Sequence, residues 1–397
     1  MQFASAITQE KDPAQAVSIL VQEIRMVLPQ NPHLALLFVS TSYEAEWKYL
    51  VPELRRSLGF PLLIGCSSSG VIGHDLELEF LPAMSLVAAY LPDVMLHPFM
   101  VSPIELELSY DTGKRWTSHL GVSKKDFPSF IIIPEPLSCN ASKLLEDLNQ
   151  DFSRQPVVGG LASGSGDLGG NFLFLNDEVF REGAVGVALT GNIALETIVS
   201  QGCRPIGERY IVTEADDNVL IALRGKPAIE VLQDLFSRLS PQDRGLAQHA
   251  LFLGLAADEM RPEFKRGDFL IRNIVGADPM TGALLIGERL SVGQTVQFHL
   301  RDAKTSEEDL RVLLKALAPS FKSRPPRGMV VFNCQGRGKG LYGTSHHDIR
   351  IIRSFVGESA IAGFFSNGEI GPVGGKACLH GYTSSLGIFR EKQLKEV

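Results

Sequence analysis

Residues with the means to do chemistry gather in glycine-rich turns. The longest such block, residues 363–383, reads GFFSNGEIGPVGGKACLHGYT. Glu369 sits inside its glycine–proline turn, where a carboxylate can receive an amine. Asn367, His380 and Thr383 can each donate or accept a hydrogen bond. Phe364 and Phe365 can wall a pocket, although core packing is the default for at least one of them. An earlier turn, residues 334–343, reads CQGRGKGLYG. Arg337 and Lys339 on such a loop can hold a carboxylate or a phosphate. Gly338, Gly340 and Gly343 repeat the dinucleotide spacing. No acidic residue ends a strand ~20 positions further on, and Lys339 is not followed by Ser or Thr as a phosphate loop requires. A nucleotide cofactor is therefore not the reading.

A third turn, residues 65–70, reads GCSSSG. Ser69 stands where a nucleophile elbow needs glycine, and no histidine–acid pair can be assigned to it. Ser67 and Ser68 are then turn formers or hydrogen-bond donors to a ligand, and Gly70 permits close approach. Cys66 reads as a small buried residue under the turn. His346, His347 and Asp348 are the densest group of potential metal ligands. Adjacent side chains diverge, and neither His-x-x-x-His nor Cys-x-x-Cys accompanies them. The expectation is helix capping at Asp348 and no metal.

These turns need strands to carry them. Residues 34–40 are a continuous apolar run, as in a buried strand. A helix over 43–58, disturbed by Pro52, follows, then a strand over 61–69 that enters the serine turn. The grammar recurs as strand 130–134, helix 141–152 and strand 156–164. It recurs again as strand 328–333, helix 348–357 and strand 360–371. Gly65, Gly70, Ile72 and Gly73 match Gly363, Gly368, Ile370 and Gly371 at identical offsets, while the middle turn shares only Gly159 and Gly164. The expectation is an internal duplication whose outer copies are the most alike, with their turns meeting across a pseudo-twofold axis. Residues 328–387 hold 13 of the 38 glycines. That is roughly three times the usual rate, a density that fits a cleft at strand ends.

Elsewhere, Asp12-Pro13 opens a helix. Residues 227–239 and 241–249 read as helices, and so does 306–318, capped by Thr305 or Ser306. The remaining segments read mostly as strand. The fold class is α/β, in the mixed α+β sense, with two domains of mixed sheets flanked by helices. A helical lead-in covers 1–33, an N-terminal domain 34–230 and a C-terminal domain 231–390.

The chain has 397 residues, 38 basic and 45 acidic, for a net charge of −7. Without a basic face, nucleic acid is not an expected partner. The apolar runs fall far short of the ~20 residues of a membrane span, so membrane insertion is not expected. Residues 1–10 lack the features of a signal peptide. Five scattered cysteines give no disulfide framework. The expected compartment is reducing and cytoplasmic.

The sequence resembles the FIST family, a sensor domain with N- and C-terminal halves. The resemblance rests on residues 272–276 (RNIVG), 298–302 (FHLRD), 334–338 (CQGRG) and the 363–383 block. Residues 65–70, 157–160 (VVGG) and 202–205 (GCRP) carry it more weakly. It covers nearly the whole chain. It implies a small-molecule sensing domain in signal transduction, with amino acids as the ligand class usually proposed. Family members are often fused to an output module. None fits beside the domain here, so a separate signalling protein is the expected partner.

Three readings stand side by side. The leading one is an amino-acid sensor that needs no cofactor. Glu369 is its anionic anchor, Arg337 or Arg204 its cationic anchor, and Ser67, Ser68, Asn367 and turn amides complete the shell. The alternative is a haem-binding nitric oxide sensor with His380 as axial ligand. Binding would be non-covalent, because no Cys-x-x-Cys-His attachment site exists. The third is a hydrolase or transferase, for which the sequence offers no nucleophile–base pair.

Overall fold

The computed structural model describes residues 1–112 and 116–392. It is a mixed α/β fold of two compact units. The first falls within Met1–Val199, Arg311–Leu379 and Thr383–Val397, the second within Ser200–Leu310 and His380–Tyr382. The chain leaves the first unit, builds the second and returns.

Three parallel strand pairs frame the first unit. They are Leu34–Ser40 with Leu62–Ser68, Ser129–Pro134 with Val157–Gly160, and Gly328–Cys334 with Ala360–Ser366. A helix bridges each pair, namely Trp47–Ser57, Ala141–Phe152 and His347–Val356. Parallel strands need a crossover of that length. The register sets Gly65 beside Leu37, Gly159 beside Ile132 and Gly363 beside Val331. A Cβ on these glycines would lie 1.8, 1.9 and 1.9 Å from the carbonyl oxygens of those partners. Only glycine fits such an approach. The middle copy is therefore a full repeat, and the expected duplication is a triplication.

Each parallel pair is followed by a hairpin that joins another copy's sheet. Gly70–Gly73 and Leu76–Glu79, from the first copy, extend strand Ala360–Ser366 of the third. Glu369–Val373 and Lys376–His380, from the third, extend strand Val157–Gly160 of the second. Leu173–Leu175 and Glu178–Phe180, from the second, extend strand Leu62–Ser68 of the first. The exchange runs in a closed ring, so no copy completes its own sheet. A pseudo-threefold arrangement replaces the pseudo-twofold one. On the other flank two further strands complete each six-stranded sheet: Met84–Tyr90 then Gln2–Thr8, Ala184–Gly191 then Val94–Val101, and Thr383–Arg390 then Ala194–Gln201. Phe38, Phe332 and Phe364 pack together in the core, with ring centroids 4.9, 5.5 and 6.2 Å apart.

Local expectations mostly hold. Asp12 accepts a hydrogen bond from Gln15 N at 2.8 Å and caps helix Pro13–Val27. A strand, Gln2–Thr8, precedes that helix and pairs with Met84–Tyr90, so the lead-in is not helical alone. Helix Ala303–Ser323 is capped by Asp302, which accepts from Thr305 N at 2.7 Å, rather than by Thr305 or Ser306.

The second unit is a closed antiparallel barrel. Its strands run in the order Cys203–Asp216, Thr295–Arg301, Leu251–Ala256, Phe269–Asp278, Ala283–Ile286 and Val219–Leu223. The last pairs back to the first. Closure leaves no long strand edge unpaired. Leu253, Leu284, Val296 and Phe298 are fully buried inside it. Helix Ala228–Arg238 packs Ala228, Val231 and Leu235 on this core. No helix among the described residues is long and apolar enough to cross a membrane.

Candidate functional site

The first unit holds seven of the nine residues that the sequence singles out, and it closes most of them in. Glu369 has no exposed surface. Ser366 Oγ donates to its Oε1 at 2.7 Å, and Thr383 donates to Oε2 from N at 3.1 Å and from Oγ1 at 2.9 Å. Burial pushes the Glu369 pKa up to about 7 against the pull of these bonds. Ser366 Oγ also lies 3.1 Å from Asn333 O, and Asn333 Nδ2 donates to Asp348 Oδ2 at 3.3 Å.

Arg337 is fully buried at the end of that chain of contacts. Its Nε donates to Asp348 Oδ2 at 2.6 Å, and its Nη2 donates to Asp348 Oδ1 at 3.2 Å and to Tyr342 Oη at 2.8 Å. Burial alone would raise the Asp348 pKa. The Arg337 guanidinium outweighs it and holds the carboxyl below the usual range. The sequence points to capping at Asp348, but the cap comes from Glu77 on the hairpin lent by the first copy. Glu77 Oε1 accepts from Ile349 N at 2.9 Å. Burial, then the Asp348 charge, push the Glu77 pKa up to about 8. Asp348 instead neutralises Arg337, which has no other carboxylate within ion-pair distance among the described residues.

The serine turn is also taken up by packing. Ser67 Oγ donates to Ser163 O at 3.2 Å and accepts from Phe172 N at 3.0 Å. Ser163 Oγ accepts from Ser69 N at 3.0 Å and donates to Phe365 O. These bonds stitch the three copies where their strands end. Ser68 is fully buried beside them. A Cβ on Gly70 would lie 2.7 Å from Leu78 O and 3.0 Å from the Phe365 ring, so the close approach there is the protein's own. Asn367 is exposed, and its backbone N donates to Leu161 O. Cys66 is fully buried and burial raises its thiol pKa, as an inert packing residue.

The second unit holds the other two. Arg204 Nε donates to Asp302 at 2.9 Å, and its Nη2 pairs with Asp243. His380 is 2% exposed. No group of three or more potential metal ligands occurs among the described residues.

An open concavity of the second unit lies elsewhere, and the sequence reading missed it. Strand Cys203–Asp216 carries a bulge where its pairing jumps from Ile206–Phe298 to Arg209–Gln297. Bulges re-aim side chains at such places. Gly207 in the bulge has φ +64°, and a Cβ there would lie 2.6 Å from Leu235 Cδ1. Beside it a cavity of about 320 Å³ opens between the bulge, strand Val219–Leu223 and helix Ala228–Arg238. Val231, Leu235, Leu239 and Tyr210 supply its apolar surface, with Leu223 buried behind them. Burial, then the Glu208 charge, raise the Tyr210 pKa.

The rim of this cleft bears both signs of charge. Arg224 pairs with Glu208 at 2.9 Å and lies 5.2 Å from the Tyr210 ring centroid. Asp234, Arg238 and Lys226 also line it. Their side chains form no hydrogen bond or ion pair among the described residues. Asp234 and Arg238 stand one helical turn apart, on one face of their helix. One free carboxylate and two free cations thus border an apolar floor. The one local signal for this site is a glycine followed by charged residues in residues 207–209, which is too common to single out.

Known proteins place the chain among relatives over most of its length. The model for the FIST N domain matches residues 33–226, and that for the FIST C domain matches residues 228–372. The uncharacterized protein Rv0628c of Mycobacterium tuberculosis H37Rv is 38% identical over 362 residues, covering 90% of this chain and 91% of the relative. The uncharacterized protein Mb0898c of Mycobacterium bovis is 34% identical over 361 residues, covering 91% of each. Among solved structures, a cyanuric acid hydrolase from A. caulinodans aligns with a TM-score of 0.34 at 9% identity. The alignment covers 98% of this chain and 100% of that one.

Proposed function

This chain belongs to the FIST family, whose N and C domains span most of it, and from that premise we propose that it senses an amino acid bound in the cleft of its second unit. FIST domains are linked to small-ligand sensing in signalling. The observation that carries the reading is a free acid and free bases bordering one apolar-floored cavity. An amino acid presents an ammonium and a carboxylate on one carbon. Asp234 receives the ammonium, and Arg238 with Lys226 receives the carboxylate. Arg224, held by Glu208 over Tyr210, forms a wall. The volume of about 320 Å³ lies at the small end of ligand sites.

The first unit supports this placement from the other side. Glu369 and Arg337 are the anchors that the sequence favours, but each is already engaged by buried partners, Arg337 Nη1 alone being left without a hydrogen bond among the described residues. Arg337 and Asp348 neutralise each other, which leaves no net charge for a zwitterion to meet. A haem reading has less to rest on, because His380 is 2% exposed and is not among the residues lining this cleft. The five cysteines form no disulfide among the described residues, as a reducing, cytoplasmic setting would leave them. A separate signalling protein would read the liganded state.

Affinity is modest on this reading. Exposed ion pairs contribute ~0.2–1 kcal/mol each, and a buried aliphatic side chain ~1.5–3 kcal/mol. These terms sum to about 2–6 kcal/mol, which centres the dissociation constant on the order of 1 mM. Isothermal titration against the twenty amino acids tests it. Saturable binding that Asp234→Asn and Arg238→Gln each weaken by up to about fivefold supports the reading. Absence of binding by all twenty sinks it.

A further inference from the structure

We infer that the cleft selects an amino acid with an uncharged aliphatic side chain, and that Gly207 and Leu235 set the size it accepts. The inference rests on the amino-acid reading of the cleft and adds the part of the ligand which that reading leaves open.

The free charges of the cleft, Asp234, Arg238 and Lys226, lie on exposed rim positions. The ligand's ammonium and carboxylate engage them. Its side chain is then left against the floor. Leu223 is fully buried there, and Val231 and Leu235 are each 5% exposed. Tyr210 stands half-buried beside them, edge-on to Phe298 with centroids 6.1 Å apart. A charged ligand side chain on that floor would lose its water without gaining a partner, a large cost. An aliphatic one gains by leaving water, roughly in proportion to its area.

Size follows from the bulge. Gly207 has a left-handed φ, and any side chain there would run into Leu235 Cδ1 at 2.6 Å. Glycine therefore makes room for Leu235 itself, whose Cδ1 fills that corner and closes the cleft there. Together with the total volume of about 320 Å³, this leaves room for a branched aliphatic chain above Leu235.

Isothermal titration of the wild-type protein with L-leucine, L-isoleucine, L-alanine, L-aspartate and L-lysine decides the class. The expected result is leucine or isoleucine binding about tenfold or more tightly than alanine, aspartate or lysine. Tightest binding by aspartate or lysine would overturn the aliphatic assignment while leaving the amino-acid reading intact. No binding by any of the five would remove both. The size gauge is then tested with Leu235→Ala, its fold checked by circular dichroism. This variant should move the leucine-to-phenylalanine affinity ratio about tenfold toward phenylalanine. If it does not fold, Leu239→Ala opens the same wall from a half-buried position. A folded variant of either kind with an unchanged ratio would overturn the gauge.

Discussion

The buried network of the first unit and the open cleft of the second handle charge in opposite ways. In the first, Arg337, Asp348, Glu77 and Glu369 are buried, and each is held by hydrogen bonds to its neighbours. In the second, Asp234, Arg238 and Lys226 are exposed and unpartnered among the described residues. Removing a charge from water is costly, so a buried charge persists only where partners are built for it. A surface charge costs little and stays available. The comparison teaches that a turn dense in glycine and polar residues marks where backbones crowd and must be reconciled. It does not by itself mark where a ligand enters.

The contrast gives predictions that separate the units. The largest effect belongs to Asp348→Ala, which strands the buried Arg337 guanidinium. It should cost about 3–5 kcal/mol in urea unfolding. A loss below about 1 kcal/mol would show that Arg337 does not depend on Asp348. Next come Gly65→Ala, Gly159→Ala and Gly363→Ala, each placing a Cβ within 2 Å of a backbone carbonyl oxygen. Each should cost about 3 kcal/mol or more. One tolerated site among the three would break the threefold equivalence.

The pH dependence comes third. Glu77 and Glu369 have folded pKa values of about 8 and about 7, above their ordinary 4.5. The folded protein then binds more protons than the unfolded chain between those values. Stability is fully present below about 4.5 and is lost as pH rises toward 8. Asp348, shifted downward, acts in reverse and withdraws stability as the solution becomes strongly acidic. Melting temperature should therefore fall between pH 5 and pH 8.5, and Glu77→Gln should flatten the fall. A flat wild-type profile would contradict the burial of these carboxyls.

The smallest stability effects belong to the second unit. Asp234→Asn and Arg238→Gln should leave unfolding within about 0.5 kcal/mol of wild type while weakening amino-acid binding. Glu369→Gln sharpens the contrast, since it should alter stability and leave that binding unchanged. Lost binding in a folded Glu369→Gln protein would return the ligand site to the first unit.

Much of the fold was legible along the chain. The apolar run at 34–40, the Asp12 cap and the strand–helix–strand grammar all depend on residues within a few positions of one another. So do Gly65, Gly159 and Gly363, because a strand end beside a crossover imposes one backbone constraint wherever it recurs. Their offsets revealed two copies clearly and the third only faintly. In the middle copy Gly160 and Leu161 stand where the others have larger or hydroxylated residues, and a longer loop precedes its hairpin.

What the tertiary structure alone decided is where each hairpin goes and which polar groups lose water. Glu77 and Ile349 are 272 positions apart, yet one caps the other's helix. Nothing local distinguishes a buried Arg337 from an exposed Arg238. The cost of desolvation depends on the whole set of neighbours that packing brings together, and that set is defined only when the ring of exchanged hairpins and the barrel have closed. Periodicity, caps and tight glycines are short-range physics and can be read from the sequence. Burial is long-range, and it decided which charges hold the fold and which remain free for a ligand.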